Sequence, residues 1–65
     1  MKANLVEICC DLSDSLMANL HPKEDMFYEE DETIYYKEEY QKEFDNYYDE
    51  FWEFLEELGF EHEND

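Results

Sequence analysis

The chain has 65 residues, room for one small domain, with 21 Asp and Glu against 4 Lys and no Arg, for a net charge of −17. Such a balance excludes direct binding to phosphate backbones, and the size leaves too little chain to enclose a catalytic pocket. Hydrophobic residues at 43% and aromatics at 18% argue against a merely solvated acidic coil, which is usually poor in aromatics.

Leu5, Ile8, Cys9, Leu12, Leu16 and Leu20 recur at three- and four-residue intervals and predict a first helix over residues 4–20. Asn4, followed three residues later by Glu7, resembles a capping box. Glu7 and Asp11 interrupt the stretch where a secretory signal would need an unbroken apolar run, and no run is long enough for a membrane span. Cys9 and Cys10 are adjacent, a poor geometry for a mutual disulfide, and read as small apolar helix residues of a reducing cytoplasm. Pro22 suits the first position of a short helix, so residues 22–31 are expected as a short helix or loop, with no membrane attachment. Four acids, Glu29, Glu30, Asp31 and Glu32, then repel one another and loosen any helix there. Ile34, Tyr35 and Tyr36 favour a strand locally, although the longer pattern claims them.

That longer pattern is Tyr40, Phe44, Tyr47, Phe51, Phe54 and Leu58, a heptad seam predicting a long helix over residues 34–58. Gly59 stands where a left-handed cap closes such a helix, with Phe60 folding back toward Leu55, and residues 61–65 form a tail. The fold expected is all-α: a short N-terminal helix packed on a long acidic C-terminal one. The seam is long for one partner helix of this length, so a homodimer is the expected extra source of stability.

Off the seam stand Glu39, Glu43, Asp45, Asp49, Glu50, Glu53, Glu56 and Glu57. At four-residue spacing, like charges each cost a few tenths of a kcal/mol, which a helix selected for stability would recover with interspersed Lys. Between Glu43 and Asp65 there is no Lys. Some property other than helix stability favours the uncompensated charge. Carboxylates at helical intervals form a negative rail, sparser than the one charge per about 1.7 Å of duplex DNA but of the same kind. Trp52, beside Glu53, is a candidate aromatic anchor for a contact made by that rail.

Catalytic and metal-binding readings find no support. The carboxylates show no pair pushed apart in pKa, the two His and two Cys do not match zinc spacings, and the acidic runs lack the central Gly of a calcium loop. No catalytic residue, metal ligand or cofactor is expected.

In size, charge and the acidic face from Glu29 to Asp65, the chain resembles the small acidic DNA-mimic inhibitors made by phages and mobile elements. That group includes anti-restriction proteins, uracil-DNA glycosylase inhibitors and several anti-CRISPR proteins. The resemblance implies a protein that blocks the basic DNA- or RNA-binding surface of a host protein, acting in the cytoplasm of an infected bacterium. Its partner-binding residues would be the four acids from Glu29 to Glu32 and the eight acids off the seam, with Trp52. Two rival readings remain: an antitoxin-like or subunit-like module binding a partner helix through the aromatic seam, and an acidic-aromatic segment that folds only on its partner.

Overall fold

In the computed structural model, which describes residues 1–63, the chain runs β1 (Lys2–Ala3), α1 (Leu5–Leu20), β2 (Phe27–Glu30), β3 (Thr33–Tyr36), α2 (Glu38–Glu57) and β4 (Glu61–His62). The fold is mixed α/β, so the all-α expectation is corrected. Two small sheets accompany the helices, β2 antiparallel to β3 and β1 parallel to β4.

The first helix begins where the sequence indicates. The Asn4 side chain accepts a hydrogen bond from the Glu7 backbone N–H at 3.1 Å, satisfying one of the donors a helix start leaves free. Its buried stripe is Leu5, Cys9, Ser13 and Met17, one turn after another, while Leu12 and Leu20 of the expected stripe stand exposed. Pro22 starts no helix. Its fixed φ instead serves the turn from His21 to Glu24, closed by the Glu24 N–H donating to the His21 carbonyl at 3.3 Å.

The largest departure from the expected fold lies between Pro22 and Glu38. Phe27 pairs with Tyr36 and Tyr28 with Tyr35, their rings 4.5 and 5.6 Å apart. Cross-strand aromatic pairs of this kind each contribute about 0.2–1 kcal/mol. They convert the segment expected as helix or loop into a hairpin and take residues 34–36 away from the long helix. Its turn is Asp31-Glu32, both with positive φ (50° and 65°), the backbone of a two-residue hairpin loop that normally carries Asn-Gly. Mutual repulsion among the four acids is relieved because the tip projects them into solvent, where all four are exposed.

Helix α2 therefore starts at Glu38, its first turn carrying Glu38 and Glu39 at the positive end of the helix dipole. It ends at Gly59 with φ +99°. The Gly59 N–H donates to the Glu56 carbonyl and the Phe60 N–H to that of Leu55, both at 3.0 Å, a Schellman closure. This cap turns the chain back so that β4 reaches β1. Glu61 and Glu63 donate backbone N–H bonds to the carbonyls of Met1 and Ala3, each at 2.8 Å, and the Met1 ammonium donates to the Gly59 carbonyl at 3.1 Å. The expected tail thus contributes a strand at Glu61–His62; its last two positions, 64 and 65, lie outside the described residues.

Burial is thin. Leu5, Cys9, Met17 and Met26 are the buried apolar residues, with Ser13 among them. The radius of gyration is 13.4 Å, against about 11 Å for a compact chain of this length, and the extents are 36 × 26 × 15 Å. A thickness of 15 Å is little more than one helix with its side chains. The molecule is a thin slab.

These observations give opposite signs for two glycine changes. A left-handed backbone costs an ordinary residue about 1–2 kcal/mol, so Glu32→Gly raises stability by about 1 kcal/mol. Gly59→Ala lowers it by a similar amount, through the backbone alone, because open space surrounds that position. Urea unfolding of both variants measures the pair.

Candidate protein-binding face

Helix α2 is about 30 Å long, and most of its surface is carboxylate. Glu39, Asp45, Asp49, Glu50, Glu53, Glu56 and Glu57 are all exposed, and Lys42 is the helix's single cation. Asp45, Asp49 and Glu53 follow one another at four-residue steps, about 6 Å apart along the axis. Glu50 and Glu57, seven residues apart, form a second row beside the apolar flank.

Glu43 is different. One of its carboxylate oxygens, Oε2, accepts from His21 Nε2 at 2.9 Å and from the Tyr47 hydroxyl at 3.0 Å. The other nitrogen of the His21 ring, Nδ1, bonds Glu24, and the ring packs edge-on to Tyr40 at 5.3 Å. Both ring nitrogens face carboxylate oxygens, which only accept, so the ring is held as the imidazolium. The bond to Glu43 is the main cause that raises the His21 pKa, opposed by burial and reinforced by Glu24. The Glu43 pKa is lowered first by His21 and then by the Tyr47 bond. One of the eight off-seam acids is thereby spent on tying the α1–β2 turn to α2.

Trp52 is half-buried and belongs to a row of rings that runs through the slab. Phe27 meets Tyr36, Tyr36 meets Phe44 at 5.2 Å, Phe44 meets Tyr48 at 6.3 Å, Tyr48 meets Trp52 at 6.0 Å, and Trp52 meets His62 at 5.3 Å. His62 Nδ1 accepts the Leu5 backbone N–H at 3.2 Å, closing a second free donor at the start of α1. The Tyr36 hydroxyl donates to Asp14 at 2.6 Å; burial and that carboxylate push its pKa above the ordinary range. The rings that α2 contributes to this row are Phe44, Tyr48 and Trp52, of which only Phe44 belongs to the expected seam. Of that seam, Tyr40, Phe44, Tyr47 and Phe51 are half-buried, while Phe54 and Leu58 at the C-terminal end of α2 are exposed, so the packed face is the heptad seam widened by Tyr48, Trp52 and Leu55.

Glu29, Glu30, Asp31 and Glu32 sit on the hairpin, a separate element from α2, so the acids expected as one run form two bodies: a rail and a tip. His21 and His62 do more structural work than the sequence suggested. A cue for His21 was its place just after α1 with Glu24 three residues on; its long-range partner Glu43 left no mark in the sequence.

Among the described residues no group of three or more His, Cys, Asp or Glu stands close enough to hold a metal ion, and no helix is long and apolar enough to cross a membrane. No protein-family model matches this sequence, and no curated protein or solved structure is similar to it.

The clamp around His21 has a defined pH response. A raised folded pKa stabilises the fold fully below the ring's ordinary value of 6.5, and the contribution is lost as pH rises through the folded value. Glu43's depressed value acts oppositely: its contribution is present above 4.5 and is lost as pH falls through the folded value. The melting-temperature difference between the native protein and His21→Gln is therefore largest between pH 4.5 and 6.5 and shrinks above. Taking the difference removes the general effect of protonating the other acids.

Proposed function

We propose that the protein is an acidic nucleic-acid mimic that binds the basic DNA- or RNA-binding surface of a host protein and blocks it, in an anti-CRISPR or anti-restriction setting. The observation that carries this reading is the rail of α2: eight exposed carboxylates along one helix, Glu38 included, with Lys42 as its only cation. Left uncompensated, those charges lower the stability of a slab that buries few side chains, so a use in binding accounts for them better than solubility does.

Three further features support the reading. The rail lies on one helix, closed by the turn at Gly59 and tied to its neighbours through His21–Glu43 and Trp52–His62, so its charges stay registered and little ordering entropy is lost on binding. A net charge of −17 speeds encounter with a cationic cleft by long-range attraction. The hairpin tip offers a second cluster of four acids, which lets a cleft engage two sides of the molecule.

Replacing Glu50, Glu53 and Glu57 by Gln together leaves the fold intact or more stable, because like-charge neighbours are relieved. The same triple variant loses about tenfold or more of its affinity for a nucleic-acid-binding target, and the native affinity falls steeply with added salt. Calorimetry across salt concentrations, alongside competition by duplex DNA, measures both. Undiminished binding by the triple variant rejects the proposal.

A further inference from the structure

The slab has two faces, and only one of them is covered. The hairpin lies on the face marked by Asp14 of α1 and Phe44 of α2, both of which touch Tyr36. Residues two positions apart on a helix are turned by about 200°, so Leu12 and Leu16 project from the side of α1 opposite Asp14. On α2, Tyr48 and Trp52 lie to one side of Phe44's line and Tyr47, Phe54 and Leu58 to the other. On that side Leu12 is 42%, Phe54 57% and Leu58 60% exposed, while Leu16 and Tyr47 between the rows are half-buried. The helices run antiparallel, since His21 at the end of α1 meets Tyr40 near the start of α2, while Leu5 meets His62 beyond its end. A leucine row and an aromatic row thus flank the trough between the helices on the uncovered face.

We propose that this trough is a docking groove for a cationic amphipathic helix of the protein's partner, which completes a second layer on the slab. The inference rests on the reading above that the partner is basic, and adds the form in which it presents its charge. Globular domains bury their apolar faces between at least two layers, and this one supplies only a single layer on that side. A trough between antiparallel helices accepts the ridges of a third helix, which buries apolar residues at i, i+3, i+4 and i+7. Charge selects the occupant. Glu50 and Glu57 border the aromatic row about 10 Å apart, matching Lys or Arg placed two turns apart on the incoming helix. A second copy of this chain brings another −17 and sets the same carboxylates against them.

Two synthetic peptides of about 18 residues test this, both of Leu and Lys in equal proportion: one with Leu patterned as above, the other scrambled so that no apolar face forms. Fluorescence anisotropy at moderate salt is expected to show the patterned peptide binding about tenfold tighter or more. Leu12→Ser with Phe54→Ser abolishes that preference with little change in melting temperature, since both side chains are exposed. Asp49→Asn with Glu53→Gln, off the groove, weakens both peptides by the same factor. Equal affinity for the two peptides, or a preference that survives the groove variant, overturns the groove and leaves the mimic reading standing. Failure of both peptides to bind at low salt overturns the groove and the mimic reading alike. Sedimentation of the protein alone decides the remaining case: a dimer that Leu12→Ser and Phe54→Ser dissociate assigns the trough to self-association and overturns the proposal.

Discussion

The fold depends on one continuous contact, the row of rings from Phe27 through Tyr36, Phe44, Tyr48 and Trp52 to His62. It joins the hairpin, the long helix and the last strand, and each of its members is only partly withdrawn from water. Offset and tilted ring pairs contribute about 0.5–1.5 kcal/mol beyond their buried area, so five half-buried rings and the exposed Phe27 supplement the small core of a 65-residue chain. Polar ties complete the frame: His21 to Glu24 and Glu43, Tyr36 to Asp14, and the Leu5 N–H to His62.

This frame explains how α2 tolerates its charge. A free helix with Glu or Asp on so much of its surface is weakened by its own field. Here the opposite side of the same helix carries the ring row, and apolar contact offsets the repulsion. The division of labour is by face: rings inward, carboxylates outward, and a strip of exposed Phe54 and Leu58 between them. That strip is apolar beside dense negative charge, a combination suited to a partner that is itself amphipathic and basic.

The start of α1 and the close of α2 were legible from the residues, whereas the start of α2 and the helix expected at Pro22 were not. Asn4 and Gly59 act through short-range backbone chemistry, and each takes the role its local sequence implies. The hairpin was half legible: Ile34, Tyr35 and Tyr36 favour the strand that β3 forms, but the turn is Asp31-Glu32 where Gly or Asn would announce one, and the acids masked it. Its signal lay in symmetry: Phe27-Tyr28 and Tyr35-Tyr36 stand at mirror distances from that turn. The heptad spacing marked much of the packed face of α2, with Tyr40, Phe44, Tyr47 and Phe51 half-buried, but tertiary contact decided that Tyr48 and Trp52 join it and that Phe54 and Leu58 stay exposed. For the binding face, the acids themselves were evident from the sequence. Their separation into rail and tip, and the diversion of Glu43 to His21, followed from contacts between residues more than twenty apart.

The parallel pairing of Lys2–Ala3 with Glu61–His62 joins segments almost a full chain length apart. Parallel neighbours need a crossover, and here every other element is that crossover. Closing so large a loop carries the highest entropic toll of any contact in the molecule, so it follows the hairpin and the helices in folding order. Trp52, the chain's single tryptophan, rests against His62 at that seal. Its emission therefore responds to the latching of the ends as well as to its stacking on Tyr48, while far-ultraviolet dichroism follows the helices.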